Sequence, residues 1–135
     1  MKGTFRLQRQ TSRGAHFAEV TVDVTPAHQP EVVIGVDTFG WRREVYGPDA
    51  WPYTHDNDLQ REAAEGAWYA LHHLPEPSPH VRVLITEIIN KVADTCPGDV
   101  KFAAANAVWR AIDQHPAAPS SLDKNGTPHF PHQIR

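Results

Sequence analysis

The stretch from His16 to Thr25 alternates between two kinds of side chain: Phe17, Glu19, Thr21 and Asp23 on one side, Ala18, Val20, Val22 and Val24 on the other. A period of two is that of an extended strand, whose successive side chains point to opposite faces. The valine side needs an apolar cover, and the other side is mostly wet. The chain must therefore build a sheet with one covered face and supply the layer that covers it. Upstream, Phe5 to Gln10 is a shorter extended segment. Thr11-Ser12-Arg13-Gly14-Ala15 between the two has the composition of a turn, so the two strands are expected to pair as a hairpin.

The covering layer is legible further on. Asn57-Asp58 opens a helical pattern, with Asn57 as cap and Gln60 completing a capping box. Leu59, Ala63, Ala67, Ala70, Leu71 and Leu74 form its apolar stripe, and Pro75-Glu76-Pro77-Ser78-Pro79 stops it. A second helix is expected after Asp94-Thr95-Cys96-Pro97-Gly98-Asp99, capped by Thr95 or Asp94 with Pro97 in its first turn. Phe102, Ala105, Val108, Trp109 and Ile112 follow at helical spacing, and the alanines among them allow close packing on a sheet. Val32 to Phe39 and Val81 to Ile89 are rich in β-branched residues and supply a third and a fourth strand. Gly40 to Tyr53 reads as an irregular packed loop, and residues 115–135, rich in Pro, Ser and His, as a flexible tail after a domain spanning 1–114. The expected class is α+β: order βββαβα, a four-stranded sheet with two helices packed on one face.

Composition narrows the function. With 135 residues, 40% apolar and 21% charged, the chain has the profile of one ordinary globular domain. A net charge of -3 argues against a protein that coats nucleic acid without specificity, since that mode needs many phosphate contacts. It leaves room for a basic tip on an acidic body. A single cysteine, Cys96, excludes an intramolecular disulfide and fits a reducing compartment. No apolar run approaches the ~20 residues of a membrane span, and the first residues turn polar at once, so the protein is expected in the cytoplasm without a membrane partner.

Three stretches, taken in order, resemble the fourth domain of translation elongation factor G. The first runs from Arg9-Gln10 through Arg13-Gly14 and the Val20 to Val24 strand to Pro26. The second runs from Val32 to Leu71 and contains Glu62-Ala63-Ala64-Glu65-Gly66-Ala67. The third runs from Val81 to Ile112 and carries Asp94-Thr95, Phe102, Ala105 and Trp109-Arg110. Together they cover roughly residues 3 to 113. The resemblance implies a ribosomal-protein-S5-domain-2-like fold with a left-handed strand-helix-strand crossover. It also implies that the loop between the first two strands and the loop after the last strand share one end. In that family these loops enter the ribosomal decoding region. Here the second loop carries Asn90-Lys91-Val92-Ala93 where the family has a Gly-Ser-Tyr-His run.

On that resemblance the tip would gather Arg9, Arg13, Gly14, His16, Asn90, Lys91 and Thr95. Cations and the exposed N–H groups of a helix start suit phosphate, and Arg13 suits stacking on an unpaired base. The expected partner is the ribosome or another structured RNA; a solvated turn with ordinary surface charges is the plainer alternative. Trp41, Tyr46, Trp51 and Tyr53 are either a packed loop or a surface for another protein, since aromatics anchor interfaces, and an open sheet edge would allow a homodimer. Cys96 ahead of a helix has the position of a stabilised thiolate, yet no base or oxyanion site can be assigned to it, so no catalytic residue is named and no enzyme activity is expected. His72-His73 face different directions on their helix. His115, His129 and His132 fall in the tail, and no spacing matches a structural zinc pattern. No metal or cofactor is expected. Glu62, Glu65 and Arg61 read as a solvated face.

Overall fold

In the computed structural model, which describes residues 1–50, 53–75, 77–114 and 120–130, the alternating stretch is the spine of a four-stranded sheet. Strand β1 (Lys2–Thr11) pairs antiparallel with β2 (Gly14–Pro26), and β2 pairs antiparallel with β4 (Val81–Ile89). The short β3 (Glu31–Ile34) lies parallel to β4 on the far edge, giving the order β1-β2-β4-β3. A register shift between Thr21 and Val22 lets β4 keep its apolar residues on the covered face. Ala18, Val20, Val22, Val24, Val83, Ile85 and Ile88 are all fully buried there. The class is α+β, as the order of elements implied.

Helices α2 (Asp56–His72) and α3 (Asp99–Ile112) cover that face. Their small residues set the spacing. A Cβ at Gly66 of α2 would lie 2.2 Å from the carbonyl oxygen of Lys101 and 3.0 Å from the Cβ of Ala104. A Cβ at Gly3 of β1 would lie 2.2 Å from the carbonyl oxygen of Ala107. Glycine at these positions lets α3 sit against both α2 and β1. Trp109 closes the far end, its indole N–H donating to the carbonyl of Ala70 across the helix pair.

Several local expectations are corrected. The third strand ends at Ile34 rather than Phe39. The chain leaves the sheet at Gly35, where Asp37 pairs with Arg43, and returns so that the Ile88 N–H donates to the carbonyl of Thr38. The loop after Gly40 contains a one-and-a-half-turn helix, α1 (Trp41–Tyr46), ended by Gly47 at φ 101°. The capping box at Asn57 does not form. Gln60 donates instead to the Thr38 hydroxyl, and Asp56 occupies the first helical position, where its carboxylate takes the Tyr53 N–H.

Neither Thr95 nor Asp94 caps α3. The helix begins at Asp99 after the left-handed Gly98, and its free N–H groups are met from another element: Glu62 of α2 accepts from Gly98 N at 3.0 Å and Lys101 N at 3.4 Å. Glu62 is thus half-buried between the helices rather than part of a solvated face. Burial raises its pKa, against the two backbone hydrogen bonds that lower it.

The segment expected as a loose tail is ordered over its middle. Strands β5 (Ser121–Leu122) and β6 (Pro128–His129) form a small hairpin. Asn106 donates to the Ser120 hydroxyl, the Thr11 hydroxyl donates to the carbonyl of Asn125, and Phe130 packs edge-on against Tyr69 at 5.0 Å. Apolar contact at Phe130 and the turn chemistry of Asp123, whose carboxylate accepts from Asn125 N and Thr127 N, outweigh the polar composition on which the expectation rested.

Two outcomes follow. Gly66→Ala gains up to ~1 kcal/mol of helix propensity but drives a methyl into backbone, so a net loss of about 1–3 kcal/mol is expected in urea unfolding; an unchanged midpoint contradicts the close crossing. A raised folded-state pKa means that the native chain holds a proton which the unfolded chain releases. Stability from Glu62 is then greatest below its ordinary value of 4.5 and falls as pH rises through the raised value. Glu62→Gln keeps an acceptor without the charge, and a pH series of unfolding midpoints should show a shallower decline.

Candidate functional site

Strand polarity settles where the two loops lie. The β1–β2 turn at Ser12-Arg13 stands at the start of β2, and β4 runs antiparallel to β2 and ends at Ile89 opposite Glu19. The connection from β4 to α3, residues 90–98, therefore emerges at the same end as the turn. It does not stand free. The Phe17 N–H donates to the carbonyl of Asp94 at 3.0 Å, and the Thr95 hydroxyl donates to the carbonyl of Phe17 at 2.6 Å. These bonds carry the edge pairing of β2 past the end of β4.

Seating the loop in this way divides the expected tip residues. Arg9, Arg13 and Lys91 are exposed, and none has an ion pair among the described residues. Lys91 lies with its ammonium 4.5 Å from the centre of the Phe17 ring, on the face of the sheet opposite the helices. Gly14 at φ 134° closes the turn. Thr95, by contrast, is a bracket: while donating to Phe17 it accepts from Lys91 N at 2.9 Å. Asn90 is turned inward and accepts from Arg42 Nη2 at 2.9 Å. His16 is mostly buried, its Nδ1 2.9 Å from Asp99 Oδ1.

Asn90 belongs to a second construction behind the tip. Arg42, only 3% exposed, donates from Nη1 to both oxygens of Asp56 at 2.8 and 2.9 Å. Its guanidinium lies between the rings of Phe39 at 4.1 Å and Tyr53 at 4.3 Å. No sequence signal pointed to Arg42. An arginine flanked by Trp41 and Arg43 reads as surface charge, and its aromatic neighbours come from both sides in the chain.

The aromatic loop is thereby split. Trp41 is structural, donating to the carbonyl of Ile88 at 2.7 Å, whereas Tyr46 is 63% exposed. Tyr53 is half-exposed and lines a cleft of about 330 Å³ with Leu59, Asn90, Val92 and Thr95, directly beside the second loop. Trp51 lies outside the described residues.

No protein-family model matches the chain, and no curated protein matches it in sequence. Solved structures do match its fold. The chain is similar to the crystal structure of ttk003000868 from Thermus thermophilus, with a TM-score of 0.59 and 15% identity, covering 85% of this chain. It spans only 16% of that longer chain. At such identity the likeness is one of fold. No helix among the described residues is long and apolar enough to cross a membrane.

One grouping was missed because His16 sits far in the sequence from Cys96 and Asp99. His16, Cys96 and Asp99 bring a ring nitrogen, a thiol and a carboxylate oxygen within 4.8 Å of one another. Asp99 is fully buried and takes Cys96 N on its second oxygen at 2.8 Å. Burial raises its pKa, while the bonds from Cys96 N and His16 pull it back. The Cys96 thiol is also raised, first by burial and then by Asp99 and Asp94, and it donates to the carbonyl of Ala15 at 3.5 Å. A thiol held protonated among carboxylates is a poor nucleophile, since the thiolate is the attacking form. His129 and Asp123 pair in the hairpin at 3.1 Å, and His115 and His132 lie outside the described residues.

Breaking the Arg42 pair should be severe. Asp56→Ala leaves a buried guanidinium without its counter-charge, and a loss of about 3–5 kcal/mol is expected. Thermal unfolding measures it, and a loss under about 1 kcal/mol, the scale of an exposed pair, would show that the guanidinium finds water instead.

Proposed function

We propose that this chain binds structured RNA, the ribosome included, through the end formed by the β1–β2 turn and the β4–α3 loop, as a relative of the fourth domain of elongation factor G. The observation that carries this reading is strand polarity, which brings the turn bearing Arg13 and the loop bearing Lys91 to one end of a chain with a net charge of -3, both side chains exposed and, like Arg9, without an ion pair among the described residues. Support comes also from the fold's likeness to one segment of a much longer chain. A cleft flanked by Tyr53 and Val92 lies next to the second loop, and an exposed aromatic ring is a surface on which an unstacked base can lie. Three cations give a modest electrostatic footprint, so recognition rests on shape at one site rather than on coating.

A second reading has its own observation. Val45 and Tyr46 are each 63% exposed on α1, and apolar side chains left in water on a short helix suit a protein partner.

One experiment separates the two. Co-sedimentation with ribosomes and filter binding of structured RNA at two salt concentrations should show salt-sensitive association. Each of Arg13→Glu and Lys91→Glu should lower the salt slope by about one. Association that ignores both charge reversals rules the tip out. Partners that survive nuclease and are lost with Tyr46→Ala establish the protein-binding reading instead.

A further inference from the structure

The grouping of His16, Cys96 and Asp99, besides its hydrogen bonds, has the donor chemistry of a metal centre. The three residues come from the start of β2, from the β4–α3 loop and from the first residue of α3. Thiolate, imidazole and carboxylate are together the usual donor set of zinc and its first-row neighbours, and a hard cation such as magnesium would not select a thiolate.

The imidazole is oriented for it. Gly126 of the β5–β6 hairpin stands against the other edge of the ring, where a Cβ would lie 2.8 Å from Cδ2 and 3.4 Å from Nε2. The hairpin thus covers the Cδ2–Nε2 edge, and Nδ1 faces Asp99. The carboxylate is held as well, because its Oδ2 is occupied by Cys96 N and Oδ1 is left toward the ring.

We propose that His16 Nδ1, Cys96 Sγ and Asp99 Oδ1 bind one divalent transition-metal ion, of which zinc is the best match, with water in the fourth position. Tetrahedral zinc with ordinary bond lengths separates its donor atoms by about 3.4–3.6 Å. The His16–Asp99 contact at 2.9 Å must open slightly, and donors within 4.8 Å must close. Both changes are within side-chain reach. The charge balance is favourable, since a fully buried carboxylate gains a cation. On binding, the Cys96 thiol gives its proton to solvent, and His16 ligates through a proton-free Nδ1 with its one ring proton on Nε2. The site would tie the second loop to β2 directly, independently of any RNA bound beyond it.

The test uses the full chain stripped of metal and titrated with zinc, and with cobalt as a coloured substitute. One equivalent should bind with a thiolate-to-cobalt charge-transfer band. Cys96→Ser and His16→Gln should each weaken binding by at least about a hundredfold, the upper end of what even an outer-shell partner costs. A stoichiometric zinc ion that Cys96→Ser binds as tightly as the wild type would overturn the site, since surface or hairpin histidines must then hold it. Should the variants misfold, alkylation of Cys96 in the unmodified chain decides. One equivalent of zinc should slow it at least about tenfold, because a metal-bound thiolate is no longer free to attack, and an unchanged rate excludes the thiolate as a ligand.

Discussion

The β4–α3 connection continues the sheet after its strand has ended, and most of the molecule's organisation hangs on that continuation. The Asp94 carbonyl accepts from the Phe17 N–H, as a strand neighbour would, and the Thr95 hydroxyl donates to the Phe17 carbonyl beside it. The next residues then turn through Pro97-Gly98 into α3, whose first N–H groups meet Glu62 from the other helix. The connection is thereby fixed between β2 and the helical layer. Its fixed position keeps Lys91 over Phe17 and brings Cys96 and Asp99 to His16.

Two polar clusters sit on either side of this connection and use opposite physics. Arg42 is neutralised by a carboxylate and sheathed by aromatic rings, so its burial is compensated within the described residues except at Nε, which lacks a hydrogen bond there. Asp99 is more deeply buried and less well compensated, facing a histidine and backbone N–H groups rather than a permanent cation. Buried ionic groups are costly unless paired. The first cluster meets that cost with a full counter-charge, and the second meets it with one histidine and backbone donors.

What the sequence disclosed follows from the range over which each signal acts. The period-two valines of β2 and the apolar stripes of the helices are local, and they were legible together with the α+β class. The short β3 and the cap of α3 were not, because both are decided by distant groups: Gly35 approaching the backbone of Ile85, and Glu62 reaching across from α2. The end shared by the two loops came from the family resemblance, and antiparallel pairing of β2 with β4 places them there. Yet residue type alone could not say that His16, Asn90 and Thr95 would be spent on internal bonds while Arg9, Arg13 and Lys91 stay exposed. His129 and Phe130 lay in a segment whose composition suggested no structure, and a single aromatic contact to Tyr69 was below the resolution of composition.

The order in which the layers are connected also sets the order in which they can be made. The β1–β2 hairpin is complete by Pro26, but the helix that covers it ends at Ile112. At ordinary synthesis speeds of roughly 5–20 residues per second, the valine face of the nascent hairpin waits on the order of 4–17 seconds for its cover. During that interval it presents a flat apolar surface inside a crowded cell. The polar opposite face and the charged turn at Arg13 are then the hairpin's own means of staying unaggregated.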